Sequence, residues 1–179
     1  LYNTVDSLIV GNFLGSSALA AVSSSGSLIF MLIGFLSGIS AGAGVIVARF
    51  FGAGDEKNLQ RAVHTTVAFG LVAGVLMTGV GVALSPQILR WMDTPESVMR
   101  ESVTYLQIYF AGSLGFVMYN VLVGILQAVG DSRHPLYYLI VSSVINLVLD
   151  LLFITGFHTG VGGAAVATVI SQIVSALLC

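Results

Sequence analysis

Charged residues are missing from four long stretches of this sequence, and those stretches constrain what the chain can fold into. Asp, Glu, Lys and Arg do not occur in residues 7–48, 62–89, 102–130 or 151–179. Each stretch is long enough to cross a bilayer as an α-helix, which needs about 20 predominantly apolar residues. The chain is only 8% charged, whereas soluble domains carry about 25% charged residues. The sequence therefore predicts an all-α, polytopic membrane protein.

The same composition argues against several other classes of protein. A net charge of −2 is too small to indicate nucleic-acid binding. Cys179 is the only cysteine, so neither an internal disulfide nor a thiolate metal site is expected. The sequence contains no zinc-peptidase, serine-hydrolase or phosphate-loop motif. We therefore expect no enzymatic activity and no cofactor.

Polar turns divide the apolar sequence into six helical segments. The predicted segments are 1–10, 17–51, 59–84, 101–129, 136–155 and 161–179. The third is expected to end before Ser85-Pro86, and a polar loop is expected to follow it as far as Arg100. The first and last segments open and close inside apolar runs, without an initiator Met or a polar tail. We expect a fragment with five full or nearly full spans and the end of another.

Basic residues predict which side of the membrane the turns face. Turns 52–58 and 130–135 would share one side, because successive turns alternate. With their flanks they contain four basic residues: Arg49, Lys57, Arg61 and Arg133. The turns on the other side contain Arg90 and Arg100. Because Lys and Arg are enriched in cytoplasmic loops, we predict that turns 52–58 and 130–135 are cytoplasmic.

Two carboxylates lie inside otherwise apolar segments. Asp6 is near the outer end of the first segment and Asp150 near the outer end of the fifth. At 1.5 Å per residue they lie roughly 6 Å and 8 Å from those ends. A charged group at the centre of a transmembrane helix costs about 2.5–3.5 kcal/mol on insertion scales, so it usually marks a functional site. Both carboxylates therefore become candidates for a shared site in the outer half.

Further oxygen-bearing side chains fall near these carboxylates. Asn146 precedes Asp150 by four residues and shares its helix face, and Thr168 lies about one and a half turns into the last segment. Such a cluster suits either a hard monovalent cation or a proton, since burial raises the pKa of a carboxyl group. The alternative is that each polar group only bonds a neighbouring helix, which is common in membranes. Asn120 lies nearer the middle or inner half and fits the cluster less well.

Small residues suggest where helices approach each other. Gly34, Gly38 and Gly42 repeat every four residues in the second segment. Small residues at this spacing let helix backbones come close. The stripe therefore predicts helix packing, and the alternative is a hinge at Gly42 and Gly44.

Several short motifs follow one another along the chain. They include YNTVD, VGNFLG and ALAAV near the start, ARFFGAGD and LQAVGDSRHP at the two predicted cytoplasmic turns, and VINLVLD and GVGGAAVAT near the end. In this order they resemble the motifs of multidrug and toxic compound extrusion (MATE) transporters. The resemblance covers nearly the whole chain. It implies twelve helices in two six-helix lobes that open alternately to either side. Residues 1–179 would form most of the N-terminal lobe, and the C-terminal lobe would lie outside this chain.

The resemblance also implies a set of cation-binding residues for H⁺ or Na⁺. By position they are Asp6, Asp150, Asn146, Asn120 and Thr168. This set agrees with the cluster above except for the depth of Asn120. A second cation site in the C-terminal lobe remains open.

The function expected from this resemblance is cation-coupled efflux of small, amphiphilic, cationic drugs or metabolites. The protein would lie in the plasma membrane, in contact with the lipid bilayer and with its own C-terminal lobe. Two alternatives remain open: a flippase or exporter of lipid-linked oligosaccharide, and a membrane scaffold without transport activity. The flippase is disfavoured because the arginines all lie at helix ends or in loops, away from any cleft that would hold a diphosphate.

Overall fold

The computed structural model describes the backbone of residues 2–179 and their side chains, except those of residues 2–6, 8, 17 and 24. Its helices, in chain order, are α1 (Tyr2–Phe13), α2 (Ser16–Gly52), α3 (Glu56–Trp91), α4 (Glu96–Ala111), α5 (Ser113–Ala128), α6 (Arg133–Leu151) and α7 (Gly160–Leu178). A π-helical turn, Leu152–Gly156, extends α6. Four helices are long and apolar enough to cross a membrane, or five spans if α4 and α5 count as one. The predicted all-α, multi-pass architecture is confirmed.

The last helix, α7, is the most enclosed of the candidate spans. Half of its apolar window is buried, compared with 17–22% for the other single-helix spans. It packs against α1, α2, α4, α5 and α6, while α3 packs against α2, α4 and α5. The core around α7 contains Tyr105 and Tyr109 of α4 together with Ala164 and Ala165 of α7. Polar residues on α7 are therefore held inside the bundle.

The third helix is longer than predicted, because it continues through Pro86 to Trp91. Proline has no N–H, so the carbonyl four residues earlier loses its helical partner. Here that carbonyl belongs to Val82, and Gln107 Nε2 of α4 donates to it at 3.4 Å. Ser85 Oγ also donates to the Gly81 carbonyl at 2.6 Å. The sequence prediction ended the helix too early because Gln107 is distant in sequence.

Replacing Gln107 by leucine is expected to destabilise the protein by about 1 kcal/mol, because the Val82 carbonyl would lose its partner. In a Pro86→Ala background the same replacement should cost less, since an alanine N–H can bond Val82 within the helix. Thermal unfolding of the purified full-length protein would measure both changes. An equal cost in the two backgrounds would contradict this role of Gln107.

The fourth predicted segment is not one straight helix. It consists of α4 and α5, which are bent by 49° at Gly112, and it begins at Glu96 rather than at residue 101. A Cβ atom at Gly112 would lie 2.3 Å from Val169 Cγ2 of α7. The glycine therefore allows α7 to pack directly against the backbone at the bend.

The first helix also extends beyond its predicted end. It continues through Gly11 and Asn12 to Phe13. A Cβ atom at Gly11 would be 3.3 Å from Leu19 of α2, so this glycine provides room for α2 rather than ending α1.

The two predicted cytoplasmic turns share one backbone design. Gly54 and Gly130 have positive φ angles of 66° and 88°. Each donates to the carbonyl three residues earlier, and the following Asp donates to the carbonyl five residues earlier, which is a Schellman motif. Asp55 then caps α3 by accepting from the Asn58 backbone N–H at 3.1 Å. Asp131 accepts from two backbone N–H groups at the start of α6.

The Asp131 cap makes the start of α6 sensitive to acid. The His134 backbone N–H, followed by the His134 ring, lowers the pKa of Asp131 below its ordinary value. A carboxylate with a lower pKa in the folded state stabilises the fold fully above its unfolded pKa. That stabilisation is lost as the pH falls through the folded pKa. We expect the amides of residues 132–134 and 136 to lose hydrogen-exchange protection, relative to intrinsic rates, as the pH falls below about 4, the ordinary pKa of an Asp carboxyl group.

The Asp131→Asn variant should show weaker protection that depends less on pH over this range, because asparagine does not titrate. Mass-spectrometric exchange of the peptide covering the turn would test both expectations. A variant that loses protection with the same pH dependence as the wild type would contradict them.

The glycine stripe of α2 does not pack within the described part of the chain. A Cβ atom at Gly34, Gly38 or Gly42 would meet no atom within 4 Å. By contrast, Gly44 lies against the Gly124 backbone of α5 at 3.3 Å. The prediction that the stripe packs helices together is therefore wrong for this lobe taken alone.

Candidate functional site

Asp150 and Asn146 lie on the buried face of α6. Both side chains are 0% exposed, and their spacing of four residues places them on one face. Asp150 lies one residue before the end of α6, where the π-helical turn begins. Widened π-helical turns are frequent at functional sites. The structure thus holds a carboxylate inside the apolar bundle, as the sequence predicted.

Thr168 of α7 meets this face of α6. It is also fully buried, and Asn146 Nδ2 donates to its hydroxyl at 3.4 Å. The Thr168 hydroxyl in turn donates to the Ala164 carbonyl at 3.1 Å. The structure therefore brings Asn146 and Thr168 together, with Asp150 one helical turn away on α6.

Asp6 belongs to α1, which packs against both α6 and α7. Its side chain lies outside the described residues, so the structure does not test whether its carboxylate meets that of Asp150. The position of α1 beside α6 keeps the pair a reasonable prediction.

Asn120 lies at the contact between α5 and α2. Its side-chain amide donates to the Phe116 carbonyl of its own helix at 2.8 Å, and its backbone carbonyl accepts from Ser40 Oγ at 2.6 Å. It lines a cavity of about 470 Å³ between α2 and α5, together with Ser37 and Gln127. These hydrogen bonds are with α2 and α5, and the role of Asn120 as a cation ligand stays a prediction from the resemblance.

Sequence reasoning missed several other polar residues that are buried on α6 and α7. Ser175 Oγ donates to Ser142 Oγ across this interface. Ser171 and Gln172 are also buried on α7. Spacing could have revealed the two serines, because Ser142 precedes Asn146 by four residues and Ser175 follows Thr168 by seven. These intervals keep residues on one helix face.

The chemistry of the site favours H⁺ or a hard monovalent cation. Its donors are carboxylate, amide and hydroxyl oxygens, whereas transition metals prefer imidazole and thiolate. Among the described residues, no group of three His, Cys, Asp or Glu side chains could hold a metal ion. All six Lys and Arg side chains are exposed.

Known proteins resemble this chain in both sequence and structure. The family model described as MatE matches residues 1–152. The chain is 39% identical over 178 residues to the Probable multidrug resistance protein YoeA of Bacillus subtilis, covering 97% of this chain and 38% of that protein. It is 29% identical to the Probable multidrug resistance protein NorM of Thermotoga maritima, with 98% and 39% covered.

A solved structure of MATE in the bent conformation matches 99% of this chain and 40% of its own length. Its TM-score is 0.94 and the identity is 30%. The chain therefore spans about two fifths of the length of the relatives and structures that it matches.

Proposed function

This chain belongs to the MatE family, and on that premise we propose that it forms most of one lobe of a cation-coupled efflux antiporter. The coupling ion, H⁺ or Na⁺, would bind at Asp150 with Asn146 and Thr168, and Asp6 would contribute from α1. The observation that carries this proposal is the complete burial of Asp150 beside an amide and a hydroxyl. A carboxylate is an expensive group to bury merely to join helices.

Coupling requires that the cation bind one conformation of the transporter more tightly than the other. A cation entering the Asp150 site would neutralise a buried charge and so favour a more closed packing of α6 and α7. The bend at Gly112 and the π-helical turn after α6 are places where the helices could change shape without unfolding. Release of the cation on the other side would then reset the lobe.

The substrate class that we propose is small, amphiphilic and cationic. The matched Bacillus subtilis protein is described as a multidrug resistance protein, which supports such a class. We further propose a plasma-membrane location and a C-terminal lobe as the partner of this one, since the matched relatives are more than twice as long as the chain.

A lipid-linked oligosaccharide flippase is less well supported. Recognition of a diphosphate would need Arg or Lys along the cleft, whereas all six basic residues lie near the ends of their helices or in turns. A scaffold without transport activity would have no use for a buried carboxylate.

The proposal can be tested with the full-length protein in proteoliposomes. A fluorescent organic cation such as ethidium would be loaded, and a Na⁺ or pH gradient would be imposed separately. Movement of the dye against its own gradient, driven by one of these ion gradients, is the expected result. Dye movement that does not depend on either ion gradient would contradict the antiporter proposal. Transfer of labelled lipid-linked oligosaccharide across the proteoliposome membrane would favour the flippase.

A further inference from the structure

Gln172 of α7 carries a buried polar atom that the site described above does not use. Its side chain is only 3% exposed. Its amide oxygen, Oε1, has no hydrogen-bond partner among the described residues. Buried polar side-chain atoms nearly always have a partner, so an exception calls for a water, an ion or another specific role.

The position of Gln172 places it beside the cation site. It follows Thr168 by four residues and precedes Ser175 by three. Both neighbours contact α6, since Thr168 accepts from Asn146 and Ser175 donates to Ser142. Residues at these spacings have Cβ atoms about 5–6 Å apart. A glutamine side chain is long enough to reach from its own backbone toward Thr168 across that distance.

The neighbours of Gln172 on α7 show why its unused oxygen is unusual. Ser171 is equally buried, but its hydroxyl donates to the Ala167 carbonyl of its own helix at 2.8 Å. The Thr168 hydroxyl does the same with Ala164. Short hydroxyl side chains can satisfy themselves within the helix, whereas the amide oxygen of Gln172 only accepts and needs a donor or a cation.

We infer that Gln172 Oε1 is an oxygen ligand for Na⁺ on the side of the Asn146–Thr168 pair that faces the C-terminal end of α7. Hard cations exchange hydration oxygens for several carboxylate, carbonyl and hydroxyl oxygens at once. A proton needs only the carboxylate. An additional amide oxygen therefore has a use in a Na⁺ site that it lacks in a pure proton site. This inference rests on the proposed cation coupling.

Binding of ²²Na⁺ to the purified full-length protein tests the inference directly. Gln172→Met keeps the length and shape of the side chain but removes the oxygen, so the Na⁺ affinity should fall about tenfold, the loss expected for one contact to a charged group. Ser171→Ala is the matched control, because it removes a buried polar group of α7 that is satisfied within its own helix. Its Na⁺ affinity should equal that of the wild type.

A second measurement separates ligand loss from misfolding. The increase in unfolding temperature caused by saturating Na⁺, compared with K⁺, should be smaller in Gln172→Met than in the wild type, each protein serving as its own reference. Gln172→Glu keeps an oxygen and should bind Na⁺ at least as well at neutral pH.

The failure of this inference can be told apart from that of the proposed function. Wild-type Na⁺ affinity in Gln172→Met, or a wild-type protein that binds no Na⁺ while a pH gradient drives efflux, would overturn the role of Gln172 and leave the antiporter standing. If Asp150→Asn also left cation binding and coupling unchanged, the proposed function itself would be wrong.

Discussion

Exchanging Asp150 for asparagine in the full-length protein is expected to abolish cation-driven efflux. The replacement keeps the size of the side chain and the buried polar character, but removes the negative charge. Opposite unit charges about 4 Å apart attract by about 4 kcal/mol at an effective dielectric constant of about 20. Even after partial compensation, we expect the cation affinity to fall by at least about a hundredfold. Counterflow of an organic cation against an imposed Na⁺ or pH gradient would measure the loss.

Asp93→Asn is the matched control for this experiment. Asp93 is exposed and lies in the turn between α3 and α4 with a φ angle of 51°, a conformation that asparagine also adopts readily. The same chemical change should therefore leave both efflux and thermal stability near wild-type values. If Asp150→Asn folds normally and still transports at the wild-type rate under an ion gradient, Asp150 has no part in coupling.

The membrane spans could be predicted from the sequence because one physical effect dominates them. A bilayer accepts only segments that satisfy their own backbone hydrogen bonds and carry few charges. The charge-free stretches therefore identified every spanning helix except α6, which contains Asp150, without reference to any contact between helices. The cost of charge in a bilayer also singled out Asp150, since a carboxylate inside an otherwise apolar helix stands out against its surroundings.

The helix boundaries were less predictable because they depend on contacts between distant residues. Proline and glycine signals suggested that the third predicted segment ends before Pro86 and that the first ends at Gly11. The apolar sequence suggested one continuous helix through Gly112. In the structure, Gln107 bonds the carbonyl exposed by Pro86, and Val169 occupies the space left by Gly112. Local propensity is a weak prior that tertiary packing overrides.

The candidate site was predictable only in part. The four-residue spacing of Asn146 and Asp150 places them on one face of any helix. The structure shows in addition that Thr168 of α7 contacts this face. Gln172 gave no signal, because one glutamine in an apolar helix is more often a helix–helix contact. Only its burial, together with the unpartnered oxygen, distinguishes it from such a contact.

The largest structural effect that we expect comes from adding a single methyl group at the bend between α4 and α5. In Gly112→Ala the new Cβ would lie 2.3, 2.4 and 2.8 Å from three carbon atoms of Val169. Valine is confined to one side-chain rotamer in most helical positions, so it cannot turn away. We expect the free energy of unfolding to fall by about 3 kcal/mol, at the upper end of the usual range for overpacking.

If the loss of stability in Gly112→Ala comes from a steric clash with Val169, two further results are expected. Gly79→Ala adds the same methyl group where no atom lies within 4 Å, so it should leave the unfolding temperature unchanged or raise it slightly. Val169→Ala should recover much of the stability lost in Gly112→Ala, because it removes the two nearest carbon atoms. Reversible unfolding in detergent of the wild type, Gly112→Ala, Val169→Ala and the double variant would give the coupling energy between positions 112 and 169. Strictly additive effects would show that Gly112 is required for the backbone bend itself rather than for the approach of α7.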